Sequence, residues 1–179
     1  MNPSHVPAFV IRDAEPGRDD DAVVQLMSEY LAWGHRRLAI EYGVEEQPGD
    51  PALIRQGLSY LRPPTGCLLI AECDGQAAGV GALRMLGPGV AEVKRMYVAP
   101  QWRARHLGSA LLDRLLAAAG ERGATIVRLD TVRFMAEAQR LYRSRGFVER
   151  PPYEGTEIPQ HLQKHWLFFE RVEPCNASR

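Results

Sequence analysis

The stretch from Glu92 to Leu112, E-V-K-R-M-Y-V-A-P-Q-W-R-A-R-H-L-G-S-A-L-L, restricts the fold more than any other part of the chain. Glu92 to Val98 is dense in β-favouring residues and reads as a strand. Ala99-Pro100 ends it, because proline cannot donate to a sheet ladder. Leu107, Leu111 and Leu115 then recur at helical spacing. The chain between them must turn sharply from strand to helix. Such a turn aims free backbone N–H groups and the positive end of a helix at one point, which suits an anion such as phosphate. Arg103 and Arg105 add charge beside it. No G-x-x-x-x-G-K-[ST] occurs anywhere, so this is not an ATP P-loop.

The flanking chain supplies an α/β (α+β) frame. Phe9–Ile11 reads as a first strand. Asp19-Asp20-Asp21 is an expected N-cap and acidic first turn for a helix carrying Val23, Leu26, Met27, Tyr30 and Leu31, which persists or restarts as far as Tyr42. Pro51 to Leu61 reads as a second helix, stopped by Pro63-Pro64-Thr65-Gly66. Cys67–Cys73 suits a buried strand, Asp74-Gly75 a hairpin turn, and Gln76–Leu86 the returning strand. With Gly87-Pro88-Gly89 as the next turn, three strands form an antiparallel meander. Beyond the Leu107 helix, Thr125–Thr131 alternates as a strand. Strand, helix and strand in succession make Glu92–Val98 and Thr125–Thr131 a parallel pair with a right-handed crossover. A helix over Met135–Arg145 closes on Gly146. Strands follow at Phe147-Val148 and Trp166–Val172, so the sheet is mixed. One domain over residues 8–173 and a frayed tail over 174–179 are expected.

Bulk properties exclude several classes of partner. The chain has 179 residues, 22 basic and 22 acidic, for a formal net charge of zero. A neutral chain offers no whole-molecule attraction to nucleic acid or an anionic membrane. No apolar run reaches spanning length, and Met1 to Ala8 does not read as a secretory signal. Cys67, Cys73 and Cys175 form no C-x-x-C pair, which fits a reducing compartment and no metal cage. Cytoplasmic location, with no metal, is therefore expected. Asn176-Ala177-Ser178 matches a glycosylation sequon by chance on this reading.

Two motifs carry a family resemblance. Arg103-Ala104-Arg105-His106-Leu107-Gly108 resembles the GNAT acetyltransferase signature, (Gln/Arg)-x-x-Gly-x-(Gly/Ala). Lys94-Arg95-Met96-Tyr97-Val98-Ala99-Pro100 looks like the strand that leads into it. Ala138-Gln139-Arg140-Leu141-Tyr142-Arg143-Ser144-Arg145-Gly146-Phe147 resembles the family's later A-x-x-L-Y-x-x-x-G-F segment. The likeness runs from about Phe9 to Val172. It implies a GNAT fold: a mixed, mostly antiparallel sheet with a central parallel pair splayed into a V, and helices on both faces.

The resemblance also implies an activity, acyl transfer from acetyl-CoA to an amine in a ternary complex. The acceptor is expected to be a small molecule ahead of a peptide, and a homodimer is allowed. Backbone groups of Met96, Tyr97 and Val98 would bind the thioester carbonyl and pantetheine. Arg103, Ala104, Arg105, His106, Leu107, Gly108 and Ser109 would form the pyrophosphate loop, with the amides of Arg105 to Ser109 wrapping the anion. Tyr142 matches the tyrosine that protonates the leaving thiolate. Glu92 falls where the histone-acetylating branch has a catalytic glutamate, and burial would raise its pKa toward that of a useful base. His106 stands where the signature has glycine; a side chain fits there if φ is negative and the ring turns outward. His35, Glu41, Tyr42, Glu45 and Glu46 lie in the two-helix region that borders the acceptor in this family, and Pro151-Pro152-Tyr153 resembles an acceptor-side loop. Two other readings of the same residues are an acyl-CoA-binding sensor without turnover and a protein-lysine acetyltransferase.

Overall fold

The computed structural model describes residues 9–47 and 49–173. Cys175, the sequon and the expected tail lie outside them. Seven strands, β1 (Phe9–Asp13), β2 (Gly66–Cys73), β3 (Gln76–Gly87), β4 (Val90–Val98), β5 (Ile126–Val132), β6 (Val148–Arg150) and β7 (Trp166–Val172), form one sheet in the order β1-β2-β3-β4-β5-β7-β6. All neighbours are antiparallel except β4 and β5. The helices are α1 (Asp20–Tyr42), α2 (Pro51–Gly57), α3 (Leu107–Glu121) and α4 (Ala136–Ser144).

Strand alternation divides the core. Leu69, Ala71 and Cys73 of β2 face Leu107, Leu111, Leu112 and Leu115 of α3, together with Tyr142 of α4. Leu68 and Ile70 face Val23, Val24, Leu26 and Met27 of α1. Both faces of β2 are thus covered, which is why it reads as an unbroken apolar run. Each leucine fully buried on α3 contributes about 1.5–3 kcal/mol relative to exposure.

Two features of β4 position the site. Its pairing with β5 is confined to Val90–Glu92 against Ile126–Arg128, after which the strands part. Its pairing with β3 shifts between Val80↔Tyr97 and Ala82↔Lys94, so Arg95 and Met96 together oppose Gly81. Arg95 takes φ +56° at this bulge. An extra residue bends the strand and re-aims its side chains.

Local departures from the sequence reading have identifiable causes. Asp19 does not cap α1 through its side chain. Its carboxylate is taken by Arg12, at 2.6 and 2.9 Å, and by the Glu15 N–H at 2.7 Å. That ion pair holds Asp19 well below the usual carboxylate pKa, at about 2. The helix runs without a break to Tyr42, where left-handed Gly43 donates back to Ala39 and Leu38. The α-helix at Pro51 ends at Gly57 and continues only as a tight 3-10 turn over Leu58–Leu61. The central strand begins at Val90, two residues before Glu92.

Candidate active site

The strand-to-helix turn has the expected polarity and an unexpected backbone. No described residue accepts from the backbone N–H groups of Arg105 to Ser109; the first helical bond is Ala110 N–H to the His106 carbonyl. These donors sit at the N-terminal end of α3, where the helix dipole favours an anion. Ala104 and His106 both lie in the left-handed region, at φ +61° and +60°. His106 therefore does not meet the negative-φ condition: the loop keeps the conformation for which glycine is suited, although neither residue is glycine. His106 is exposed, so its ring meets no steric bar outside. The two arginines do not reach across the turn. Arg103 Nε donates to the Val98 carbonyl at 3.1 Å, while the Arg105 guanidinium packs 5.0 Å over Trp102 and lies 3.7 Å from Cys73 Sγ.

Where β4 and β5 part, a cavity of about 80 Å³ opens between Met96, Asp130, Met135 and Tyr142. Tyr142 is only 7% exposed, with its ring 6.0 Å from Phe147 and 6.1 Å from Phe169. Burial raises its phenol well above the ordinary range, so it stays protonated. Tyr97 points to the opposite face, 5.7 Å from Tyr30, and offers this side its backbone alone.

Glu92 lies deeper than the chain pattern indicated. It is wholly buried and lines none of the three cavities. Its carboxylate accepts from Arg84 Nε at 2.5 Å and the Tyr153 hydroxyl at 2.7 Å, with Lys94 Nζ at 3.4 Å. The Tyr153 hydroxyl also stands 3.4 Å from Asp130 Oδ2. Asp130 is the group the sequence reading missed. Burial raises its pKa to about 6, against the pull of Lys94 and with a further push from Glu92. Its one legible signal was position, near the carboxyl end of a parallel strand, where open α/β sheets bind ligands.

Two larger cavities adjoin. One of about 590 Å³ lies among Met27, Ile54, Tyr60, Met85, Lys94 and Arg95. The other, of about 410 Å³, lies among Leu31, Leu38, Arg95, Asp130, Val132 and Trp166. Of the residues expected near an acceptor, His35 and Glu46 line the second cavity. Glu41 pairs instead with Arg37 at 2.6 Å, Tyr42 stacks 4.2 Å from His165, and Glu45 is exposed. The segment after Pro151-Pro152 is pinned by Tyr153 on Glu92, by Arg84 on the Gly155 carbonyl at 3.0 Å, and by Lys94 on Glu157 at 2.8 Å. Tyr153 itself turns inward, whereas Glu157, Ile158 and Pro159 reach a cavity. Burial pushes Glu157 up, but hydrogen bonding to Lys94 and the charges of Lys94, Arg84 and Arg95 leave it below the usual range. Among the described residues no group of three or more His, Cys, Asp or Glu could hold a metal, and no helix is long and apolar enough to cross a membrane.

A turn with free backbone N–H groups follows β4, and a buried tyrosine and aspartate line the cavity where β4 and β5 part. The chain matches the model of the acetyltransferase (GNAT) family over residues 25–147. It is 30% identical over 161 residues to an uncharacterized N-acetyltransferase of Schizosaccharomyces pombe, covering 89% of this chain and 93% of that protein. It is 34% identical over 152 residues to the IAA acetyltransferase of Azospirillum brasilense, covering 84% and 90%. The Salmonella typhimurium protein yncA, solved with its cofactor acetyl-CoA, has a TM-score of 0.66 at 18% identity, covering 96% of this chain and 97% of that one. The chain belongs to the GNAT acetyltransferase family and is an acyltransferase enzyme.

Proposed function

We propose that the protein transfers the acetyl group of acetyl-CoA directly to the amine of a small molecule. The observation that carries this reading is that Asp130 and Tyr142, a base and an acid, line one small cavity where β4 and β5 separate. The loop of free N–H groups from Arg105 to Ser109 fits a pyrophosphate, and the edge of β4 beyond Glu92 has no β5 partner to compete with a pantetheine arm. Acetyl-CoA supplies the thioester. Backbone N–H groups of Met96 to Val98 would hold its carbonyl oxygen and stabilise the charge that gathers there.

Asp130, with a pKa near 6, is ionised at neutral pH and can take a proton from the bound ammonium, which frees the nitrogen lone pair for attack. Tyr142, protonated throughout, gives a proton to the departing thiolate. No enzyme-bound acetyl intermediate is needed, because amine and thioester meet in one complex. Glu92 has no face on the cavities, so its part is to fix Tyr153, and through it Asp130, rather than to touch the amine. Cavities of about 590 and 410 Å³ are of small-molecule size, which favours such an acceptor over a protein lysine.

The test is thiol release from acetyl-CoA across a panel of amines, with acetyl-CoA binding measured by calorimetry. Amine-dependent release is expected. Binding with no turnover on any amine sinks the proposal in favour of an acyl-CoA sensor.

A further inference from the structure

Among the described residues, Arg95 alone lines all three cavities. Its backbone explains how it gets there. At the β4 bulge it holds φ +56°, a conformation that L-residues other than glycine adopt at a cost. The reward is direction: a bulge turns a side chain out of the regular alternation.

Two of the carboxylates near Arg95 are already matched without it, and Asp130 attracts it without a hydrogen bond. Glu92 and Glu157 are shared by Arg84, at 2.5 and 2.9 Å, and by Lys94, at 3.4 and 2.8 Å. Arg95 approaches Glu157 only to 3.9 Å and makes no hydrogen bond among the described residues. Its side chain is 37% exposed. A guanidinium is thus held at a cavity junction with its planar fork of donors free. Such a fork binds a carboxylate bidentately.

Tyr30, Arg95, Asp130 and Met135 are common to the 80 Å³ cavity and the 410 Å³ cavity. A positive and a negative group therefore border the same passage, and an acceptor entering it meets both. A plain cationic amine would satisfy Asp130 and be repelled by Arg95. A molecule bearing ammonium and carboxylate on one carbon satisfies both. Beyond the passage the larger cavity has an apolar part, Leu31, Leu38, Val132, Leu162 and Trp166, beside the polar His35, Glu46 and Glu157, and that part suits an apolar substituent.

Building on the acetyl-transfer reading above, we infer that the acceptor is a free α-amino acid with an apolar side chain, its carboxylate clamped by Arg95 and its amine presented to Asp130. The nitrogen, once deprotonated, forms the new bond to the acetyl carbon while the carbon–sulfur bond breaks. The ammonium proton passes to Asp130, the thiolate takes the Tyr142 proton, and the second proton that the nitrogen sheds as the amide forms returns the tyrosinate to phenol; Asp130 then releases its proton to solvent. Arg95 binds and orients, and exchanges no proton.

The test compares leucine, methionine and phenylalanine with their amides and with the amines that lack the carboxyl group, using wild-type enzyme and acetyl-CoA. The free amino acids are expected to exceed the amides by about 10- to 100-fold in kcat/KM, the worth of a charge-assisted pair at a partly buried site. In Arg95→Met that preference collapses to within about threefold, mainly through KM. Arg95→Lys, which keeps the charge but loses the fork, falls between. Acetyl-CoA affinity, measured on both variants, reports that the fold and donor site persist. Transfer to amides and plain amines as fast as to amino acids overturns the amino-acid assignment while leaving the transferase reading intact. No transfer to any amine, with acetyl-CoA still bound, overturns both.

Discussion

Replacing Asp130 by Asn should make the protein more stable and less active at once. The folded carboxyl has its pKa raised from 3.8 to about 6, chiefly by burial. It therefore holds its proton more tightly than the unfolded chain does, and rising pH between about 4 and 6 removes stability. At 1.36 kcal/mol per pKa unit the full loss is about 3 kcal/mol at pH 7.5, a net figure that already includes the attraction of Lys94 and Arg95. At pH 5 only about 1.5 kcal/mol of it has been lost. Asparagine never ionises, and it keeps a polar group beside the Tyr153 hydroxyl. Urea unfolding should thus find Asp130→Asn more stable than wild type by about 3 kcal/mol at pH 7.5 and by about half that at pH 5. Its kcat should fall at least tenfold, with about 100-fold typical for loss of a general base. In the wild type, kcat/KM should fall about tenfold per pH unit below about 6. A gap that is equal at the two pH values, or a variant less stable at both, would show that Asp130 is not desolvated in the folded protein.

Three further outcomes test other parts of the site. Tyr142→Phe should lower kcat tenfold or more with little change in acetyl-CoA affinity, by stopped-flow and calorimetry; unchanged kcat removes it as the acid. His106→Gly relieves a left-handed residue at φ +60° and should raise stability by about 0.5–1 kcal/mol, or about 1–4 °C in Tm, while preserving or tightening acetyl-CoA binding. Marked weakening would mean that the imidazole is itself a ligand. Glu92→Gln removes a charge that raises the Asp130 pKa, so the acid limb of the pH–rate profile should move to lower pH with activity retained. Loss of activity at every pH would instead make Glu92 the base.

The frame was legible where short-range rules act alone. Pro100 breaks the strand, Leu107, Leu111 and Leu115 all reach the core, and Gly43 ends α1. Failure came where a distant group competes. Asp19 looks like a cap, but Arg12 on β1 binds its carboxylate first. Asp130 and Tyr153 lie 23 residues apart and meet only because β5 and the chain after β6 converge on Glu92. Left-handed backbone was invisible at Arg95, which carries no such signal, and at His106 only the glycine of the family signature hinted at it. The sequence therefore indicates the donor loop by its motif and hides its strain.

Asp19 aside, these departures are not scattered. Arg95, Ala104 and His106 belong to the bulge of β4 and the loop that follows it, and the buried carboxylates Glu92 and Asp130 lie on the two strands that part there. Each is unfavourable alone: a left-handed non-glycine residue costs about 1–2 kcal/mol, and a buried ion pair seldom outperforms apolar packing. A sheet selected only for stability would continue the β4–β5 ladder beyond Glu92 and fill the space with side chains like those of α3. Stopping the ladder leaves, among the described residues, β4 donors without a β5 partner, a buried carboxyl of raised pKa and a guanidinium without a hydrogen-bond partner. Those are three demands that one bound thioester and one zwitterionic amine can meet together. Strain and desolvation concentrated at a single mouth are what preorganisation for a reaction requires, and the leucine core beneath α3 supplies the stability that lets it persist.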